Sequence, residues 1–145
     1  MKGENGMTAK ELLEQAAVAM GRAYVPYSRF QVGAALLGRS GKVYLGCNVE
    51  NAAYGPTNCA ERSAVFTAIS AGEREFAAIA VVGGPEGKPK GICPPCGVCR
   101  QVLREFCPDD FPIHLQDADG TVRTFTLAEL LPQSFGVSFL KAEED

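Results

Sequence analysis

The run FAAIAVV, residues 76–82, is apolar at each of its positions. A strand with one wet face alternates polar and apolar residues. An unbroken apolar run of this length instead reads as a strand covered on both sides, with helices above and below one sheet. It is far too short to cross a bilayer, so it belongs to a core and not to a membrane. The 145 residues suffice for one core and fall short of two. Residues 1–145 are therefore expected to form a single domain.

Local signals place the remaining elements around that strand. Thr8-Ala-Lys-Glu11 is a capping box, followed by Leu12, Leu13, Ala16, Ala17 and Met20 at helical spacing. This predicts a first helix over about residues 9–24, stopped near Pro26. FQVGAALLG (30–38) and KVYLGCNV (42–49) read as strands joined in a hairpin across Arg39-Ser40-Gly41. A second helix is expected over about residues 59–71, ended by Gly72. GGPEGKPKG reads as a loop, and a third helix runs from near Cys96 to before Pro108. FPIHLQD and GTVRTFT are two more strands across an Asp119-Gly120 turn. Thr126-Leu-Ala-Glu129 opens a last short helix that Pro132 limits. The order α-β-β-α-β-α-β-β-α implies an α/β fold with one sheet of about five strands and helices on both faces.

The N-terminal MKGENGMTAKELL has no apolar signal core, which points to the cytoplasm. Residues 1–6 read as a ragged leader, with Met7 an alternative start. In a reducing compartment the six cysteines are expected to be metal ligands or buried apolar groups rather than disulfides. The net charge of −3, with no clustered Lys/Arg stripe, argues against a nucleic-acid partner, since counterion release needs grouped cations.

Two cysteine stretches carry the chemistry. ICPPCGVCRQ (92–101) holds Cys93, Cys96 and Cys99, and TNCAERSAVF (57–66) holds Cys59 and Glu61. Cys96 and Cys99 lie on the first turn of one predicted helix, where i and i+3 share a face and can chelate one ion. Cys59 opens another helix. Helix N-termini favour the thiolate, and zinc suits such soft ligands. Glu61, at i+2 from Cys59, does not face it as a ligand, but can stand beside a fourth coordination position. There it can take a proton from activated water and deliver it to a leaving amine. A Cys-x-Glu followed by Pro-Cys-x-x-Cys, with a non-ligand Glu as acid and base, is the signature of zinc nucleobase deaminases.

Blander readings stand beside this one. Asn58-x-x-Glu61 resembles a capping box, which would make Glu61 a helix cap. Cys47 and Cys107 read as core or surface thiols, and His114, the only histidine, as a core or surface residue. An iron–sulfur run is disfavoured because Cys107 follows Cys99 after seven intervening residues rather than three. A redox pair at Cys96 and Cys99 leaves Glu61 unexplained. A closed site of Cys59, Cys93, Cys96 and Cys99 would be structural and inert.

Five stretches in order, VPYSRFQVGAAL, GCNVENAAYG, NCAERSAVF, PCGVCRQVL and LLPQSF, closely resemble the small homotetrameric zinc-dependent cytidine deaminases. The resemblance implies a three-layer α/β/α sandwich with a mixed sheet, one zinc per chain, and active sites shared between subunits. It further implies hydrolytic conversion of cytidine and deoxycytidine to uridine and deoxyuridine. Carried over by motif, Cys59, Cys96 and Cys99 are the zinc ligands and Glu61 the proton shuttle. Asn48 and Glu50 hold the sugar hydroxyl, Phe30 packs on the nucleoside, and the main chain near Ala60 reads the pyrimidine carbonyl. Tyr54 is a further pocket or interface residue, and Phe135 enters a neighbouring subunit's site. Arg62 would hydrogen-bond the sulfurs and offset the net −1 charge of zinc with three thiolates. Cys93 occupies a position where the family has no expected ligand, and Pro94 and Pro95 are expected to hold it off the ion. A related deaminase of a cytosine-containing antibiotic shares both zinc motifs, although NVEN and LLPQSF favour the plain nucleoside. A nucleic-acid editing deaminase is disfavoured by the acidic balance, and a non-catalytic zinc module would leave Glu61 idle.

Overall fold

A computed structural model describes residues 7–140; the leader expected over residues 1–6 lies outside them. The elements in chain order are α1 (Ala9–Met20), β1 (Phe30–Gly38), β2 (Val43–Cys47), α2 (Ala60–Ser70) and β3 (Phe76–Pro85). They continue with α3 (Gly97–Phe106), β4 (Pro112–Gln116), β5 (Val122–Thr126), α4 (Leu127–Leu130) and a 3-10 turn, Val137–Phe139. The five strands form one sheet in the order β2-β1-β3-β4-β5. Only the β3–β4 pair is parallel, so the sheet is mixed.

The apolar run is the middle strand, and its alternate side chains supply two separate cores. Ile79 and Val81 face a cluster that includes Ala60, Ala64 and Val65 of α2 and Leu103 of α3. Ala78, Ala80 and Val82 face Leu12, Leu13, Ala16 and Met20 of α1. In β1, Ala34 and Leu36 join the first cluster while Ala35 and Leu37 join the second. Period-two side-chain alternation in an apolar strand thus produces the three layers.

Three boundaries differ from the sequence expectation. Helix α1 stops at Met20 with Gly21 as its cap. Tyr24 leaves it because its N–H donates to the Asn48 carbonyl at 3.0 Å, and its carbonyl accepts from the Glu50 N–H at 2.9 Å. Strand β2 ends at Cys47 rather than at 49, since Val49 pairs instead with Asn58. Strand β3 continues through three residues of the expected loop, with Gly83, Gly84 and Pro85 opposite Val32, Gln31 and Phe30. Glycine and proline carry the composition of a loop. Here the glycines leave room for neighbouring groups: a Cβ on Gly84 would collide with the Lys88 carbonyl.

One close approach positions the site. A Cβ on Gly46 of β2 would collide with the backbone of Ala60 and Ala64 in α2. The first turn of α2 therefore lies directly on the sheet, with Ala60 and Ala64 fully buried. Gly46→Ala should overpack this contact and cost about 1–3 kcal/mol. The expected readout is a lower urea midpoint at unchanged m-value; a wild-type midpoint would mean that α2 yields freely.

Candidate active site

Both helices that carry thiols begin the same way. Cys59 caps α2 with φ −81° and ψ 156°, and Cys96 caps α3 with φ −68° and ψ 168°. Neither side chain makes the usual capping hydrogen bond. Their sulfurs meet instead: Cys59 Sγ lies 3.7 Å from Cys96 Sγ, which lies 3.4 Å from Cys99 Sγ. All three sulfurs fall within 4.8 Å of one another, the one such metal-capable group found among the described residues. Cys99 is buried, Cys59 half-buried and Cys96 exposed, so the cluster opens to solvent on the Cys96 side.

The cluster favours thiolate at Cys59. Cys59 is held at about 5, first by the hydrogen bond from Cys99 and then by Arg62. Cys99 is pushed up in turn, because it gives its proton to that bond and is desolvated. Arg62 Nη2 donates to Cys59 Sγ at 3.1 Å, and this bond raises the pKa of the guanidinium. Three soft sulfurs at two helix N-termini, beside an arginine, fit one zinc ion by donor type and number.

Glu61 is 4% exposed on the first turn of α2. Burial pushes its carboxyl up to about 7, and the nearby Cys59 charge adds to the shift. The capping-box reading fails: Cys59, not Asn58, is the N-cap, and Asn58 Nδ2 donates to Ser63 Oγ at 3.1 Å. A buried carboxyl beside a group of sulfurs, with no capping role, is a candidate for proton chemistry.

A second group lies around the entry to β1. Asn48 Oδ1 accepts from the Val32 N–H at 2.8 Å, and its Nδ2 donates to the Phe30 carbonyl at 2.9 Å. Glu50 Oε1 accepts from the Tyr27 and Ser28 N–H groups at 3.0 and 3.1 Å. Its carboxyl is held below the ordinary value, chiefly by the Ser28 hydroxyl. Glu50, Tyr54, Tyr27, Ser28, Asn51 and Thr57 line a cavity of about 400 Å³. Tyr54 is exposed at φ +57°, a left-handed conformation that bulky residues rarely adopt. Ala60 is fully buried, and Phe30 is exposed on one side at the start of β1.

The remaining sequence candidates separate. Phe135 is exposed, stacked on Phe139 with ring centroids 5.4 Å apart, and is not among the residues lining the cavity. Cys93 stays out of the sulfur cluster. Burial, then Glu61 and Cys59, push its thiol up to about 11. Cys107 is a core residue and Cys47 is half-buried. His114 Nδ1 lies 2.8 Å from Thr124 Oγ1 on β5, and burial lowers its pKa.

Two positioning residues escaped the sequence reading. Arg100 Nε donates to the Pro95 carbonyl at 2.7 Å and Nη1 to the Leu130 carbonyl at 2.6 Å. Gln101 Nε2 donates to the Phe135 carbonyl at 2.9 Å. Together they tie the approach to α3 and the segment after α4 onto one helix. Their only signal was a pair of long polar side chains directly after Cys99.

Comparison with known proteins agrees with this geometry. Residues 7–115 match the family model described as the cytidine and deoxycytidylate deaminase zinc-binding region. The cytidine deaminase of Halalkalibacterium halodurans is 51% identical over 129 residues, 89% of this chain and 95% of that protein. That of Sporosarcina psychrophila is 49% identical over 129 residues, 89% of this chain and 92% of that protein. The crystal structure of cytidine deaminase from Burkholderia pseudomallei superposes with TM-score 0.81 at 50% identity, covering 89% of this chain and all of that one.

The sulfur geometry predicts the metal content of single variants. Cys59→Ser, Cys96→Ser and Cys99→Ser should each fall from one zinc per chain to near none in elemental analysis after dialysis, whereas Cys93→Ser should keep its zinc. Loss of metal from Cys93→Ser would point to a closed four-sulfur site.

Proposed function

This chain belongs to the cytidine deaminase family, and we propose that Glu61 moves the protons of its reaction. The enzyme hydrolyses the exocyclic C–N bond of cytidine, giving uridine and ammonia, a step of pyrimidine salvage. Deoxycytidine is the expected second substrate. The observation that carries the assignment of roles is a carboxyl 4% exposed beside three convergent sulfurs at two helix mouths. Cys59, Cys96 and Cys99 hold the zinc. When bound, zinc supplies the acidity that makes a water nucleophilic near neutral pH.

The protein groups do the rest. Water attacks C4, and a Glu61 oxygen takes its proton. Glu61 passes that proton to the ring nitrogen, then takes the remaining proton of the new C4 hydroxyl and gives it to the amine, so that the C4–N bond breaks, ammonia leaves and the C4 carbonyl of uridine forms. Burial raises the affinity of Glu61 for a proton, which suits a group that must both accept and donate. Arg62 draws electron density from Cys59 and so limits the excess negative charge of the sulfur cluster.

The Glu50 cavity takes the sugar. Glu50 Oε1 is occupied by two backbone N–H groups, and we assign the remaining acceptor capacity of the carboxylate, beside the Ser28 hydroxyl, to a sugar hydroxyl. Asn48 fixes β1 beside it and contributes to the same grip, Tyr54 and Phe30 supply walls, and the main chain at Ala60 receives the pyrimidine carbonyl. Nucleic acid is not the substrate we infer, since the net charge of −3 gives no basic track. No helix among the described residues is long and apolar enough to cross a membrane. The six free thiols support a cytoplasmic setting. One sheet with both faces covered supports a single domain over residues 1–145.

Assembly completes the proposal. Phe135 and Phe139 are 56% and 68% exposed, a large apolar surface for a monomer to leave in water. We assign Phe135 to the pocket of a neighbouring copy in a homo-oligomer, most simply a tetramer.

Glu61→Gln should retain its zinc and fold and lose at least ~10²–10⁴-fold in turnover. Activity within a few-fold of wild type would remove Glu61 from the mechanism. Phe135→Ala should keep its zinc while activity falls, and wild-type specific activity should drop on dilution in step with dissociation seen by light scattering. A fully active monomer would refute the shared site.

A further inference from the structure

We propose that Gly83 and Cys93 act as a fitted pair that sets the direction of the Phe30 ring, making Cys93 a positioning residue for the nucleoside. This rests on the assignment of Phe30 to the substrate wall. The backbone of Phe30 is fixed by other groups. Its N–H donates to Ser28 Oγ at 3.0 Å, its carbonyl accepts from Asn48 Nδ2, and it pairs with Pro85 across the sheet. None of these contacts decides where the ring points.

The space beside Gly83 does. A Cβ built there would sit 2.6 Å from Cys93 Sγ, 3.0 Å from Phe30 Cε1 and 3.2 Å from Val32 Cγ2. Side chains from the 93–96 approach and from two positions of β1 therefore converge on a point of β3 that has no side chain. Glycine inside a strand weakens it and commonly marks such a close approach. Gly83 lies opposite Val32, and Phe30 is two residues away on the same face of β1.

Cys93 borders the same gap over Gly83 as the ring, on ground that also senses the Glu61 carboxyl. Its sulfur packs against the cluster of buried residues that contains Ala60 and Val81. It also feels the charges of Glu61 and Cys59. The edge of the Phe30 ring and a sulfur tied to the α3 approach thus converge on one gap over Gly83, while the Phe30 residue remains 37% exposed. Cys93, outside the metal cluster, gains a role that its sequence motif did not suggest: a filler of the correct size.

The test is a double-mutant cycle on the enzyme with its zinc bound. It compares Gly83→Ala, Cys93→Ala and the double variant, with Phe30→Leu as reference. The readouts are kcat and KM for cytidine, the inhibition constant of the product uridine, and zinc content. Gly83→Ala should raise KM and the uridine constant about tenfold, with kcat and zinc near wild type, because small misplacements of a binding wall are costly. Adding Cys93→Ala removes the sulfur that the new methyl strikes, so the double variant should return to within about threefold of Cys93→Ala alone, a non-additive result.

Additive effects, or a Gly83→Ala enzyme with unchanged uridine binding, would overturn the pairing. Should Gly83→Ala not fold, Cys93→Leu enlarges the same contact from the loop side and must raise the uridine constant; unchanged binding again defeats the proposal. Phe30→Leu separates the two levels. If it leaves uridine binding untouched, the substrate-wall assignment fails and the pairing with it. If it weakens binding while the cycle is additive, only the positioning by Gly83 and Cys93 falls.

Discussion

The site depends on how closely the first turn of α2 lies on the sheet. At Gly46 the backbone of β2 meets the backbone of α2 with no side chain between them. That contact fixes the height of Cys59 at the helix mouth and buries Glu61 two residues later. Helix α3 delivers Cys96 and Cys99 to the same end of the same layer. A single methyl of extra separation would move one sulfur relative to the other two, and metal geometry tolerates little of this.

Gathering three sulfurs and a carboxylate in one place creates a concentration of negative charge that the protein must offset. It does so with fixed dipoles and one cation. Two helix N-termini point at the cluster, and Arg62, on the same turn as Glu61, reaches back to Cys59. Glu61, away from solvent, shifts in the opposite direction from Cys59. Neighbouring acids pushed apart in this way suit different tasks, and the proposed mechanism uses the thiolate as ligand and the carboxyl as the group that exchanges protons.

The nucleoside end uses a different device. There the backbone holds the side chains proposed to meet the sugar: Asn48 is locked by both ends of its amide to β1, and Glu50 is locked by the turn at Tyr27 and Ser28. Glu50 thus both braces the wall and lines the cavity, while Asn48 holds the adjoining backbone. Beside them, β3 extends past its expected end, and its glycines admit Cys93 and the Lys88 carbonyl.

The layers, the helix starts and the chemistry of the metal cluster were legible along the chain. FAAIAVV demanded cover on both faces, the capping box at Thr8 formed as expected, and Cys59, Cys96 and Cys99 stood at two helix mouths. Periodicity and capping are local, so they can be read from neighbours in sequence. What each glycine and polar side chain met across space was settled only by the fold. Gly83 and Gly84 looked like a loop because composition does not register a neighbour that fills the space of a missing Cβ. Asn58-x-x-Glu61 looked like a cap because the pattern does not say that a cysteine will take the capping position. Arg100 and Gln101 gave no sign that they would hold the carbonyls of Pro95, Leu130 and Phe135. These choices turn on contacts between segments far apart in the chain, and only the folded backbone brings those segments together.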